Sequence, residues 1–123
     1  MFVHGLDGLD EISLLGKTRI NHLKNGNVET YEIQPEDFGL ERCKLDVIKS
    51  STPKDNAAVI SGIFDGSIKN ANKDAVVLNA AGALIVGGKV DNFKQGTVLA
   101  KEIIESGAAK KKLSELREMS NAF

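Results

Sequence analysis

Asp10 and Glu11 stand side by side in the stretch Val3-His4-Gly5-Leu6-Asp7-Gly8-Leu9-Asp10-Glu11-Ile12-Ser13. Three acids, two glycines and a histidine fall within these eleven residues. Magnesium takes oxygen ligands and is usually held by one or two carboxylates, with substrate phosphates and waters completing its shell. In a regular strand two adjacent acids point to opposite faces, but in a loop both can turn towards one ion. Gly5 and Gly8 lack a Cβ and so let a bulky phosphate approach the backbone. These residue types therefore fit divalent-cation and phosphate chemistry at Asp10 and Glu11. They also fit a plainer account, in which both are solvated loop acids and Asp7 serves the turn.

The other chemically capable residues say less. His4 could contact a phosphate or act as an acid or base. A lone histidine at a strand end is more often simply hydrogen-bonded. His22 has no partner in the pattern and is assigned nothing. Cys43 has no histidine pattern around it and reads as a small buried or half-buried residue. Asn79 lies inside the most apolar segment, where its amide must be satisfied. A structural bond to a neighbouring loop or helix end is the expected solution, and Asn56 reads the same way. Gly87-Gly88-Lys89 ends a helix instead of opening one and lacks P-loop spacing. Lys110-Lys111-Lys112, followed by Glu115 and Glu118, reads as a solvated helix face.

Short elements must position the acidic pair. Phe2 to His4 ends a short apolar strand, and Gly5 and Gly8 break it into a loop. Lys17 to Leu23 and Val28 to Ile33 alternate around Lys24-Asn25-Gly26-Asn27, so 17–33 is a predicted antiparallel hairpin. Gln34 to Leu40 is a turn with Pro35, and Leu45 to Lys49 is irregular or briefly extended. Ser51 or Thr52 can cap a helix with Pro53 at its first position, running to Gly66. A second helix covers about Lys73 to Val86 and is apolar nearly all round, so burial on most sides is expected. It stops at Gly87-Gly88. A third runs from about Asn92 to Ser106. A fourth covers about Ala108 to Asn121, with Leu113, Leu116 and Met119 as its stripe. Residues 1–50 are thus strands and loops and residues 51–123 are helical. The fold class is α/β, or α+β as a fragment: a short strand and a hairpin packed with about four helices. So few strands give an all-apolar helix too little cover, which points to a missing domain, chain or sheet.

The totals set outer bounds. A chain of 123 residues is one domain by size. Sixteen basic and seventeen acidic residues give a net charge of −1, which argues against nucleic acid as a partner. The single cysteine excludes an internal disulfide and fits a reduced, cytoplasmic setting. Met1 and Phe2 run straight into His4 without a signal-peptide pattern. The most apolar run, Ala75 to Gly88, contains Asn79 and is too short to span a membrane.

Five segments in order resemble anthranilate phosphoribosyltransferases of tryptophan synthesis: "VHGLDGLDEIS", "YEIQPEDFGL" (Tyr31 to Leu40), "DNAAVI" (Asp55 to Ile60), "DAVVLNAAGALIVGG" (Asp74 to Gly88) and "AKEIIESGAAKKKLSELRE" (Ala100 to Glu118). The resemblance implies a glycosyltransferase reaction that joins anthranilate to phosphoribosyl pyrophosphate and releases pyrophosphate. It implies magnesium as cofactor, with the family's Asp-Glu pair falling on Asp10 and Glu11. It also implies that residues 1–123 are a single C-terminal fragment, the last third of a longer α/β domain. The family's Gly-Thr-Gly-Gly-Asp loop, its Lys-His-Gly-Asn segment and its anthranilate-holding arginine have no counterpart here. No catalytic residue is therefore assigned, and substrate-binding positions are left open. Both substrates are expected to bind only in the complete enzyme, the isolated chain is expected to be inactive, and an N-terminal fragment is the expected partner. Surfaces left bare by the absent strands are expected to self-associate. The rival reading is a non-catalytic binding or structural domain of the same fold: retention of Asp10 and Glu11 favours the transferase lineage, whereas the absence of the rest of the family's site favours the rival for this chain as it stands.

Overall fold

The computed structural model describes residues 1–50 and 52–122. Asn25 and Gly26 hold φ of 51° and 80°, the two positive values that a type I′ turn needs. They join β2 (Thr18–Lys24) to β3 (Asn27–Ile33), so the predicted hairpin forms. The preceding strand, β1 (Phe2–Gly5), pairs antiparallel with β2 in the register Val3 to Ile20, giving the order β1-β2-β3. Val3, Ile20 and Tyr31 share one face, and Ile20 is fully buried there. His4, Arg19 and Glu32 share the other face, which is exposed.

Pro35–Phe38 forms a 3-10 turn closed by Gly39 at φ 69°. Residues 45–49, expected to be irregular or extended, instead hold the short helix α1 (Leu45–Ile48). Four residues with no side-chain cap leave almost no sequence signal. Helix α2 (Pro53–Asp65) starts as expected: Thr52 Oγ1 accepts the Asp55 N–H, Pro53 opens the helix and Gly66 closes it at φ 83°. Of the two cap candidates, Ser51 lies outside the described residues. Helix α3 (Ala71–Val86) begins two residues earlier than expected, because Asn70 caps it by accepting the Asn72 N–H. Helices α4 (Phe93–Glu105) and α5 (Ala108–Ser120) complete the chain within a residue of the predicted bounds. The molecule is therefore α/β, with α3 and the start of α4 set against one face of a three-stranded sheet and α2 packed beyond them.

Helix α3 divides two apolar clusters. Leu78 and Ala81 join Ile12, Leu14, Ile20, Ile33, Leu40 and Phe93 beneath the sheet. Val77 joins Ile63, Ala100 and Ile104 on the other side. Each fully buried aliphatic side chain contributes about 1.5–3 kcal/mol relative to exposure. Gly96 lets α4 approach closely, since a Cβ there would lie 2.8 Å from the Ala81 Cβ. As expected, α3 is covered on most sides: Val77, Leu78, Ala81 and Gly82 are buried, most of the rest is partly buried, and Ala83 and Val86 are exposed. No helix among the described residues is long and apolar enough to cross a membrane.

Candidate functional site

The loop from Leu6 to Lys17 connects β1 to β2 and carries the acidic pair. Its base is fixed by the Leu6 N–H, which donates to the Lys17 carbonyl at 2.8 Å. The Gly5 N–H donates to the Leu9 carbonyl (2.8 Å) and the Gly8 N–H to the Gly5 carbonyl (2.9 Å), folding the first half into a tight turn. Gly8, at φ 102° with open space around it, takes a backbone shape that a side chain would strain.

Asp7 organises this turn from within. Its Oδ1 accepts the Leu9 N–H at 3.1 Å, and its Oδ2 accepts the Ser13 hydroxyl at 2.6 Å. The Ser13 hydroxyl oxygen in turn accepts the Leu15 N–H, and Thr18 Oγ1 accepts the Ser13 N–H, both at 2.9 Å. A Cβ on Gly5 would stand 2.8 Å from Asp7 Oδ1 and 3.1 Å from the Ser13 Cβ. The space at Gly5 is thus taken by the Asp7 carboxylate, which corrects the expectation that it is kept for a phosphate.

The second half of the loop is held from α3. The Ile12 N–H donates to Asn79 Oδ1 at 2.9 Å, and Asn79 Nδ2 donates to the Ile12 carbonyl at 2.9 Å and the Ala75 carbonyl at 3.1 Å. Asn79 therefore reads the backbone of Ile12 as a neighbouring strand would, and the expected structural bond to a loop is what forms. Ile12, Ser13 and Leu14 are buried, while Asp10 and Glu11 are exposed immediately before them. Two adjacent carboxylates are thus presented to solvent, tied down on one side by Asp7 and on the other by Asn79.

That donor set fits magnesium. It offers hard oxygen donors from two side chains, leaving the rest of an octahedral shell to waters and phosphate oxygens. Among the described residues no group of three or more His, Cys, Asp or Glu gathers to form an all-protein metal cage. Sequence reasoning proposed Asp10 and Glu11 but did not single out Ser13 and Thr18, whose hydroxyls hold the loop that carries them. The only signal for them was two small hydroxyl residues at the borders of an acidic loop.

The remaining candidates lie elsewhere. His4 sits exposed on the outer face of the sheet, opposite Arg19. Asn56 is exposed, which corrects the expectation of a buried amide. Cys43 is half-buried with its N–H donated to the Leu14 carbonyl at 3.1 Å. Burial, and secondarily the charge of Asp74, pushes its thiol above its ordinary value, the direction opposite to that of an activated thiolate. Lys112 pairs with Glu115 on an exposed face of α5, as the charge pattern implied.

Residues 1–110 match the family described as glycosyl transferase family, a/b domain. The chain belongs to that family. Within it, the chain is 47% identical over 120 residues to the anthranilate phosphoribosyltransferase of Methanobrevibacter smithii, covering 98% of this chain and 36% of that relative. It is 45% identical over 121 residues to that of Nitrosomonas europaea, covering 98% of this chain and 35% of the relative. The fold agrees with the solved anthranilate phosphoribosyltransferase of Saccharomyces cerevisiae in complex with PRPP and Mg, at TM-score 0.88 and 30% identity over 98% of this chain and 35% of that one. The Thermus thermophilus enzyme gives TM-score 0.81 and 35% identity over 92% of this chain and 33% of its own. This member of the glycosyl transferase family thus spans about a third of the length of the relatives it matches.

Proposed function

We propose that residues 1–123 form one unit of an anthranilate phosphoribosyltransferase and supply the acidic pair that holds its magnesium. The reaction transfers phosphoribosyl from phosphoribosyl pyrophosphate to anthranilate: the anthranilate nitrogen bonds to the ribosyl C1 as the C1–oxygen bond to pyrophosphate breaks. What supports the reading is a solvent-facing Asp10–Glu11 pair on a locked loop, in a chain 47% identical to such an enzyme. Bound at Asp10 and Glu11, magnesium would offset negative charge on the leaving pyrophosphate. This chain's own residues contribute position. Asp7, Ser13 and Asn79 hold the loop so that both carboxylates are already placed when phosphates arrive, which removes an ordering cost from binding. Because this chain spans about a third of its relatives and lacks the family motifs named above, we assign activity to the completed protein and none to the isolated chain. A reducing, cytoplasmic setting is part of the proposal, and the single cysteine, Cys43, is compatible with it.

The test follows the fluorescence of anthranilate with phosphoribosyl pyrophosphate and magnesium. It is run on the chain alone and after mixing with a polypeptide carrying the missing portion of a relative. Turnover is expected only on mixing. Asp10→Ala or Glu11→Ala should then lower it by about 100-fold or more, the scale of losing one electrostatic contact to a transition state. Because both side chains are exposed, circular dichroism of the variants should match the parent. Full activity in both variants would remove the magnesium assignment. No activity in any mixture would favour a non-catalytic binding or structural domain.

A further inference from the structure

The inner face of the sheet is longer than the helices that cover it. On that face Ile20 and Tyr31 stand opposite each other, then His22 opposite Glu29, and then Lys24. Side chains on one face of a strand recur every second residue, so the row changes from apolar to charged in one step. Ile20 is fully buried, Tyr31 and His22 are half-buried, and Glu29 and Lys24 are exposed. The helical cover ends at the turn between α3 and α4, which brings Asp91 and Lys94 to the opposite side. Between the two lies a cleft of about 380 Å³. Strand β2 runs from the acidic loop at Thr18 to this cleft at Lys24, so the cleft and the Asp10–Glu11 pair lie at opposite ends of the sheet.

The floor of the cleft is apolar and its rim is charged. Ile33, Phe38, Ile85 and Phe93 line the inside. The Phe38 and Phe93 rings sit 5.6 Å apart at 39°, a tilted aromatic pair. Tyr31 adds a further ring. Burial, with the charge of Glu29 second, raises its hydroxyl above the ordinary value, so it is a hydrogen-bond donor there. The rim carries both signs, Glu29 and Asp91 against Lys24 and Lys94. Among the described residues none of these four forms an ion pair. Small-ligand sites combine apolar walls of this kind with a few polar groups that fix orientation. Rim charges of both signs match a ligand that carries both, and ring walls match a flat apolar body.

We infer that this cleft binds a free α-amino acid with an aromatic side chain, its ring against Tyr31, Phe38 and Phe93. Glu29 and Asp91 face its ammonium group, and Lys24 and Lys94 its carboxylate. Every wall named comes from this chain, so the inference does not rest on the function proposed above.

The probe is L-phenylalanine, titrated into this chain and followed in its amide NMR spectrum. Saturable shifts are expected at His22, Tyr31 and Phe93, with a dissociation constant of about 1 mM or below. Phenylpropionate lacks the ammonium group, phenethylamine lacks the carboxylate, and L-leucine lacks the ring. Each should bind at least about threefold more weakly, the scale of one exposed ion pair or one aromatic contact. Glu29→Gln should remove most of the advantage of phenylalanine over phenylpropionate, and Lys94→Gln most of its advantage over phenethylamine. Both side chains are exposed, so circular dichroism of the variants should match the parent. No saturation by about 10 mM would overturn the inference. So would equal affinity for the four compounds, shifts centred on Asp10 and Glu11 instead of Tyr31, or variants that leave the preference intact.

Discussion

At the scale of single residues, Asn79 decides the geometry of the site although it stands 67 residues from the backbone it holds. Its carboxamide is one of the few groups that can donate and accept at once, matching the N–H and C=O of Ile12. Asn79→Ala leaves both Ile12 groups and part of the Ala75 bonding without a partner. Each unsatisfied group costs about 1–3 kcal/mol, so a loss of about 2–4 kcal/mol is expected by urea denaturation. Asn79→Asp keeps the acceptor for the Ile12 N–H but sets a carboxylate against the Ile12 and Ala75 carbonyls, so it should not rescue. A loss below about 0.5 kcal/mol for the alanine variant, within the range of ordinary surface substitutions, would sink the clamp. Asp7 and Ser13 carry the matching role on the other side of the acids, through a 2.6 Å bond that no spacing rule reveals.

At the scale of elements, the packing of α3 on α4 rests on missing side chains. A Cβ at Gly96 would lie 2.9 Å from the Ala81 Cα and 3.1 Å from its carbonyl oxygen, and backbone cannot rotate away. Gly96→Ala should therefore cost about 1–3 kcal/mol as an overpacked contact. At Gly62 the contact at 2.7 Å is the end of the Ile68 side chain, which can move. Gly62→Ala also gains about 1 kcal/mol of helix propensity, so it should be close to neutral. Chemical denaturation of the two variants tests the contrast, and equal losses would refute it. The same elements show what the chain made legible. Asn25-Gly26 and Thr52-Pro53 carry local chemistry that dictates a turn and a cap, so the hairpin and α2 were readable. Helix α1 was not, because its four residues lack a capping side chain and the Asn72 Nδ2 bond to the Val47 carbonyl that ties it down is tertiary. Asp10 and Glu11 were readable as a pair, whereas the clamp on their loop from Asn79 joins residues distant in sequence and the local Asp7–Ser13 bond follows no known spacing.

At the scale of the whole molecule, burial is uneven. Helix α3 contributes to both apolar clusters, whereas α1 and α5 contain no buried residue. Local opening is easiest where few apolar contacts resist it. Hydrogen exchange followed by mass spectrometry should find α3 and β2 slowest, and α1 and α5 exchanging at markedly lower opening free energy. Uniform protection along all five helices would contradict this two-cluster account. Unevenness also bears on when the acidic loop acquires its shape. The clamp from Asn79 to Ile12 ties an early part of the chain to a much later one. At roughly 5–20 residues per second, the ribosome makes Asn79 about 3–13 seconds after Ile12. Through that interval Asp10 and Glu11 are carried on a segment whose anchor does not yet exist, and a nascent chain holds its acids in place only after α3 has been made.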